Sequence, residues 1–230
     1  MESLDLKEAA EVVHAVNARV AETIGIKPAA RTTCVKPSGT SSLVLGCSSG
    51  VHAWHSEYYI RRLRVGKDEA IYKYLAEKMP QLVEDCFEKP HLQAVISIPQ
   101  KANEGATKRE DESAISLLER VKKLNEQWIK PGHHKGENTH NVSTTVSLKG
   151  DEWSKVGEWM WQNRECYNGI AVLPYWGGTY KQAPFEECDQ ETYDKLNRYA
   201  KRIDLTEVRE SDDNTEHTQE IACAGGKCEI

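Results

Sequence analysis

Two groups of residues in this 230-residue chain have types and spacing that could do chemistry. The first is a pair of cysteines, Cys223 and Cys228, in the terminal sequence CAGGKCEI. A thiol pair this close can exchange with a disulfide, and Lys227 favours the thiolate that attacks. The acidic, polar run before the pair offers no core in which to bury it. The pair is therefore predicted to be redox-active, with a metal-binding tail or an accidental pair as alternatives.

The second group is the sequence KPSGTSS at residues 36–42, directly after the strand-like residues TTCV. Its hydroxyl and glycine positions are Ser38, Gly39, Thr40, Ser41 and Ser42. Glycine lets the backbone come close to a ligand, and hydroxyl and N–H groups at a strand-to-helix break can bind a phosphate. By composition alone, an ordinary serine-rich turn is the simpler interpretation.

Histidines form two further groups, but neither has the spacing of a standard zinc site. They are His52 with His55, and His133 with His134 and His140. No metal site is predicted, and the second group is interpreted as an exposed loop. The other five cysteines are expected to be small core residues. They are Cys34, Cys47, Cys86, Cys166 and Cys188.

Alternating helices and strands must position these groups. Apolar spacing predicts helices over residues 6–23, 68–87, 111–128, 150–167 and 189–202. Runs rich in β-branched residues predict strands over 32–35, 92–99, 141–148 and 169–175. This order is typical of an α/β fold with a largely parallel sheet. Since so few strands cannot close a barrel, the chain is expected to be a piece of a larger architecture.

Composition excludes several classes of protein. Apolar residues make up 39% and charged residues 29%, which suits a globular fold, and the net charge of −6 argues against direct nucleic-acid binding. No run reaches the roughly 18 apolar residues of a membrane span. The N-terminal sequence lacks a secretory pattern, so a cytoplasmic location is expected, and seven cysteines are then not a secreted disulfide framework.

Five stretches, in this order, resemble the C-terminal part of adenosylcobalamin-dependent (class II) ribonucleotide reductases. They are TTCVKPSGTSSLVLGCSSGVHAWHSEYYIRR, NVSTTVSL, EWMWQNRECYNGIAVLPY, YKQAPFEE and the terminal CAGGKC. The resemblance implies that residues 1–203 form the C-terminal portion of a ten-stranded α/β barrel and that residues 204–230 form a disordered redox-active tail. The Asn-x-Cys-x-Glu segment that carries the family's radical cysteine does not occur in this sequence. A larger catalytic subunit is therefore expected to supply it and complete the barrel, unless the chain is a truncated form of a longer one.

The same resemblance implies a role for each group. Residues 38–42 would bind the phosphates of a ribonucleotide, either a diphosphate or a triphosphate. Cys223 and Cys228 would re-reduce the active site and be reduced in turn by thioredoxin or glutaredoxin. The assembled enzyme would bind adenosylcobalamin and convert ribonucleotides to deoxyribonucleotides. The alternative is a non-catalytic nucleotide-binding regulatory module with a redox-sensing or metal-binding cysteine tail.

Overall fold

The computed structural model describes residues 4–39, 41–175 and 180–210. Its helices are α1 (Leu6–Ile24), α2 (Ser41–Val44), α3 (Ala70–Lys78), α4 (Ala114–Leu124), α5 (Trp153–Gln162) and α6 (Gln190–Ala200). Its strands are β1 (Tyr58–Gly66), β2 (Val83–Asp85), β3 (Gln93–Lys101), β4 (Thr145–Leu148), β5 (Ala171–Pro174) and β6 (Phe185–Glu187). The described residues divide into two compact units, one taking residues up to 53 and from 111 to 175, the other the remainder.

Local signals fix the ends of the helices. At the start of α1, the Asp5 carboxylate accepts hydrogen bonds from the backbone N–H groups of Lys7 and Glu8, both at 3.0 Å. At its end, Gly25 takes the left-handed conformation with a φ of 74°, which glycine adopts without steric cost. A π-helical turn, Asn125–Ile129, extends α4, so the helix predicted over 111–128 is confirmed with slightly shifted bounds.

The core of the first unit lies between α4, α5 and β4. It includes Leu118, Val121, Val146 and Val156, each exposing 1% or less of its surface. Strands β4 and β5 pair in parallel, with Thr145 opposite Ala171 and Leu148 opposite Pro174. Both strands were predicted from the sequence, and both are confirmed.

The second unit contains a four-stranded sheet in the order β2-β3-β1-β6. All its pairings are antiparallel, and the longest joins β1 and β3 from Tyr58–Lys101 to Gly66–Gln93. The expected largely parallel sheet is therefore wrong for this unit. The prediction left β1 out of the sheet, because its arginines give the segment a polar sequence. In the structure Arg62 bonds to Glu186 of β6 at 2.5 Å and lies 3.6 Å from Glu84 of β2.

Two other predicted elements are corrected. The helix predicted over 68–87 ends at Lys78, because Pro80 opens a short 3₁₀ helix and the chain then enters β2. The strand predicted over 32–35 makes only an isolated parallel bridge, between Val35 and Val142. The strand predicted over 92–99 corresponds to β3, and the helices predicted over 150–167 and 189–202 correspond to α5 and α6.

Only the first residues of the predicted tail are described. Leu205–Glu207 form a 3₁₀ helix, and the backbone N–H of Asp204 donates to the Tyr74 hydroxyl at 3.0 Å. The division at residue 203 and the disorder of the tail stay predictions. No helix in the described part of the chain combines the length and apolarity needed to cross a membrane.

Candidate functional site

The serine-rich turn leads from the bridge at Val35 into α2. Ser38 has a positive φ of 20°, and its hydroxyl oxygen lies 2.6 Å from that of Ser41. The backbone N–H of Ser42 donates to the Ser38 carbonyl at 3.2 Å and closes the turn. Ser42 is buried, whereas Ser38, Gly39 and Ser41 are half-buried or exposed. The turn thus brings together the accessible hydroxyls of Ser38 and Ser41, while Ser42 is buried and helps to close the turn. Thr40 lies outside the described residues.

Ser49 and Gly50, which follow α2, pack against the residues that begin this turn. The Ser49 hydroxyl donates to the Pro37 carbonyl at 3.0 Å. Gly50 has a φ of 56°, and a Cβ there would lie 3.1 Å from the Lys36 carbonyl oxygen. Position 50 therefore requires glycine for its conformation and for the close approach of two backbones. These contacts fix Lys36 and Pro37, and so the start of the turn.

His52 connects this segment to β4. Its Nδ1 lies 3.2 Å from the Ser49 carbonyl oxygen, and its Nε2 lies 3.2 Å from both the Thr144 hydroxyl and the Thr145 backbone nitrogen. Burial lowers the pKa of His52 below its ordinary value. The sequence drew attention to this histidine only as a metal-ligand candidate, because its partners near residue 145 lie far away along the chain.

His55 lies in a separate environment in the second unit. Its ring stacks on Phe185 at 5.5 Å and lies 5.7 Å from that of Tyr59. Burial, with a smaller contribution from the Arg109 charge, lowers the pKa of His55 to about 4. Within the described ranges, no cluster of three or more histidine, cysteine or carboxylate side chains could hold a metal ion.

The second histidine group is only partly the exposed loop that was predicted. His134 and His140 are exposed, and the His134 ring stacks on that of His14 in α1 at 3.4 Å. His133 is half-buried, with its Nε2 2.7 Å from the Gly136 carbonyl oxygen. The prediction is therefore wrong for His133, because its ring turns back onto the loop backbone.

The cysteines differ in their surroundings. Cys86 and Cys166 are buried, as predicted, and burial raises the pKa of Cys166, whose thiol donates to the Glu126 carboxylate at 3.2 Å. Cys188 is half-buried. Cys34 and Cys47 are exposed, so their prediction as core residues is wrong; Cys34 lies in the segment that does not form its expected strand. Cys223 and Cys228 lie outside the described residues.

Comparison with known proteins finds that the curated relatives of this chain share one kind of name. No family model matches the chain. A protein of Euglena gracilis named adenosylcobalamin-dependent ribonucleoside-triphosphate reductase is 27% identical over 226 residues, which cover 97% of this chain and 30% of that protein. One of the same name from Lactobacillus acidophilus is 28% identical over 91% of this chain and 28% of its own length. A probable reductase of this kind from Dictyostelium discoideum is 27% identical over 96% of this chain and 28% of its own.

A solved structure agrees with these matches in fold. It is described as the crystal structure of a B-12 dependent (class II) ribonucleotide reductase, and it superimposes on 88% of this chain and 27% of its own with a TM-score of 0.69 and 23% identity. The resemblance to class II reductases predicted from the motifs is thus confirmed. The chain spans about 30% of the length of the curated relatives it matches.

Proposed function

We propose that this chain is part of an adenosylcobalamin-dependent ribonucleoside-triphosphate reductase, in which it binds substrate phosphates and delivers electrons through its terminal dithiol. The observation that carries this proposal is the match of nearly the whole chain to relatives named for that activity. The names of these relatives favour a triphosphate over a diphosphate substrate.

The serine-rich turn supplies the phosphate contacts in this proposal. Helix α2 has only four residues, so its dipole contributes little, and the binding energy would come from hydroxyl and backbone N–H groups. Ser38 and Ser41 already lie within hydrogen-bonding distance of each other, so that both hydroxyls can turn to one phosphate oxygen. Glycine at position 39 permits a close approach of the backbone, and Thr40 is a further predicted contributor. Ser42 was also predicted to contribute, but its side chain is buried and its N–H donates to the Ser38 carbonyl.

A larger catalytic subunit completes the site by carrying the radical cysteine. Support comes from the parallel pair β4–β5, since parallel sheets are normally covered on both faces and contain more strands. On β5, Ala171, Leu173 and Pro174 are exposed, and Leu173 retains 53% of its accessible surface. Further strands from the partner would cover this surface and continue the barrel.

The proposal assigns adenosylcobalamin to the assembled enzyme, where it supplies the radical chemistry. Both ring nitrogens of His52 are within hydrogen-bonding distance of protein atoms, which leaves neither available as a cobalt ligand. His55 is half-buried, and its ring packs against those of Phe185 and Tyr59. The proposal therefore gives these two residues no role in holding the cofactor.

The terminal dithiol re-reduces the active site after each turnover. The thiolate of Cys223 or Cys228 attacks one sulfur of the active-site disulfide and forms a mixed disulfide. The second thiolate attacks the tail sulfur of that bond, releasing two reduced active-site thiols and leaving a Cys223–Cys228 disulfide. Two electrons and two protons are thus transferred, and thioredoxin or glutaredoxin reduces the tail again in bulk solvent.

The test of electron delivery uses the reconstituted enzyme with adenosylcobalamin, a ribonucleoside triphosphate and thioredoxin. We expect the double variant Cys223→Ser, Cys228→Ser to form about one deoxynucleotide per active site and stop, because no dithiol can reach the buried disulfide. A small dithiol such as dithiothreitol should restore turnover. Wild-type turnover of the variant with thioredoxin would contradict the proposed role of the tail.

The test of phosphate binding uses the double variant Ser38→Ala, Ser41→Ala in the same assay. Loss of two hydroxyl contacts should raise the KM for the ribonucleotide at least tenfold, at about 1 kcal/mol per hydrogen bond. Ser154→Ala, an exposed serine in α5, is the matched control. If the isolated chain binds nucleotides tightly and the partner adds no reductase activity, the regulatory-module alternative is correct.

A further inference from the structure

We propose that His52 is a positioning residue for the serine-rich turn: as a neutral imidazole protonated on Nδ1, it ties the segment behind the turn to the start of β4. The inference rests on the proposed function, because its consequence is measured on ribonucleotide binding. It assigns His52 no contact with substrate. His52 acts through Ser49, whose side chain holds Pro37 and whose carbonyl faces the imidazole.

The hydrogen-bond partners determine the tautomer. The Ser49 carbonyl oxygen can only accept, so Nδ1, at 3.2 Å, must carry the proton. The Thr145 backbone N–H can only donate, so Nε2, also at 3.2 Å, must be unprotonated. The Thr144 hydroxyl can rotate to donate to the same nitrogen. A doubly protonated ring would place two donors against each other at Thr145 and break this connection.

The connection adds to the bridge between Val35 and Val142, which already joins these two stretches of the first unit. Ser49 and Gly50 contact Lys36 and Pro37, whereas Thr145 is the first residue of β4. The ring is therefore a side-chain link between β4, a core strand, and the segment that supports the start of the turn, in addition to the backbone bridge at Val35. Removing it leaves the Thr145 N–H without its partner and removes one of the contacts that hold the segment supporting Pro37.

The charged groups near the ring balance each other. Glu112 raises the pKa of His52 and Arg120 lowers it, and these two side chains pair with each other at 3.2 Å. Arg120 also donates to the carbonyl of Val51, the neighbour of His52. Burial is the largest influence and lowers the pKa of His52; the backbone contacts to Ser49 and Thr145 raise it by less, so the neutral ring that the hydrogen bonds require is favoured.

Three substitutions separate the two halves of the connection. His52→Gln places an amide oxygen near the position of Nε2, where it can accept from Thr145, and it cannot be protonated. His52→Asn retains a donor near Nδ1 for Ser49 but does not reach Thr145, and His52→Ala loses both contacts. His140→Asn is the matched control, because His140 is exposed.

The kinetic test measures kcat and KM for a ribonucleoside triphosphate with the reconstituted enzyme between pH 5 and 8. We expect His52→Ala and His52→Asn to raise KM about tenfold with little change in kcat, as for the loss of a buried hydrogen bond. His52→Gln should keep KM within a few fold of wild type. It should also remove the rise in KM that we expect for wild type as the pH falls and the imidazole is protonated. Because the substrate titrates equally in both enzymes, this difference isolates His52.

A second measurement uses the isolated full chain and does not depend on the partner. Two-bond ¹⁵N–¹H correlations should show His52 with a protonated Nδ1 and an unprotonated Nε2 at neutral pH. A mixture of tautomers would overturn the proposal, whatever the kinetics. Circular dichroism shows which variants fold, and the Asn and Gln variants keep the test decisive if His52→Ala does not.

The outcomes distinguish this inference from the function on which it rests. If the Ser38→Ala, Ser41→Ala variant raises KM and the folded His52 variants do not, the positioning role is overturned and phosphate binding by the turn stands. If none of these variants changes KM, phosphate binding by the turn fails, and the role of His52 fails with it. If His52→Asn and the serine variant both raise KM while His52→Gln does not, both proposals are supported.

Discussion

The half-buried imidazole of His55 makes the stability of this protein depend on pH in a way that can be worked out in advance. The ring lies against Phe185 and Tyr59, and its pKa is about 4 in the folded chain against 6.5 as the ordinary value. Because the unfolded chain binds the proton more tightly, acid favours unfolding. The contribution of His55 to stability is therefore fully present above pH 6.5 and is lost as the pH falls from 6.5 towards 4.

The size of the effect follows from the difference between the two pKa values. A folded-state pKa of about 4 against the ordinary value of 6.5 corresponds to about 3 kcal/mol of stability, most of which is lost by pH 4. The slope between pH 6 and pH 4.5 should be about 1 kcal/mol per pH unit. The replacement His55→Phe keeps an aromatic ring against Phe185 and Tyr59 but removes the titrating group.

The assay is chemical denaturation of wild type and His55→Phe at pH 7, 6, 5 and 4. Other carboxylates and histidines titrate in both proteins, so only the difference between the two free energies of unfolding reports on His55. We expect that difference to shift by about 3 kcal/mol in favour of the variant between pH 7 and pH 4. Parallel curves, within about 0.5 kcal/mol, would show that His55 accepts its proton freely in the folded state and would refute the reasoning.

Two further predictions concern stability, and denaturant unfolding at pH 7 measures both. Gly132→Ala should destabilise the protein by about 3 kcal/mol, since a Cβ there would overlap the Thr33 side chain. Gly157→Ala in α5 places its Cβ in open space and should stabilise the protein by about 0.5–1 kcal/mol. Equal changes in the free energy of unfolding for the two variants would contradict this prediction. Arg120→Ala should cost about 3 kcal/mol, because it leaves the Glu112 carboxylate, only 7% exposed, without its cation; a loss below about 0.5 kcal/mol would indicate a solvent-screened pair.

Prediction from the sequence succeeded where the signal is local. The apolar spacing of α1, closed by Asp5 and Gly25, and the alternation of residues in β4 each depend on residues a few positions apart. It did not include β1 among the strands of the sheet, because a strand containing Arg62 looks polar until Glu84 and Glu186 are brought beside it from other strands. Strand pairing is decided by contacts between distant segments, which no short window contains.

The candidate site divides in the same way. Sequence alone led to the predicted roles of the terminal CAGGKC pair and the serine-rich turn, since each motif lies within a few consecutive residues; both roles stay predictions. Tertiary structure decided which serines of the turn are accessible, and it brought His52 to Thr145 across 93 positions of the chain. A histidine's role depends on which groups face its two nitrogens. For His52 one of those groups is the backbone N–H of Thr145, the first residue of β4, and only the folded structure brings β4 next to the ring.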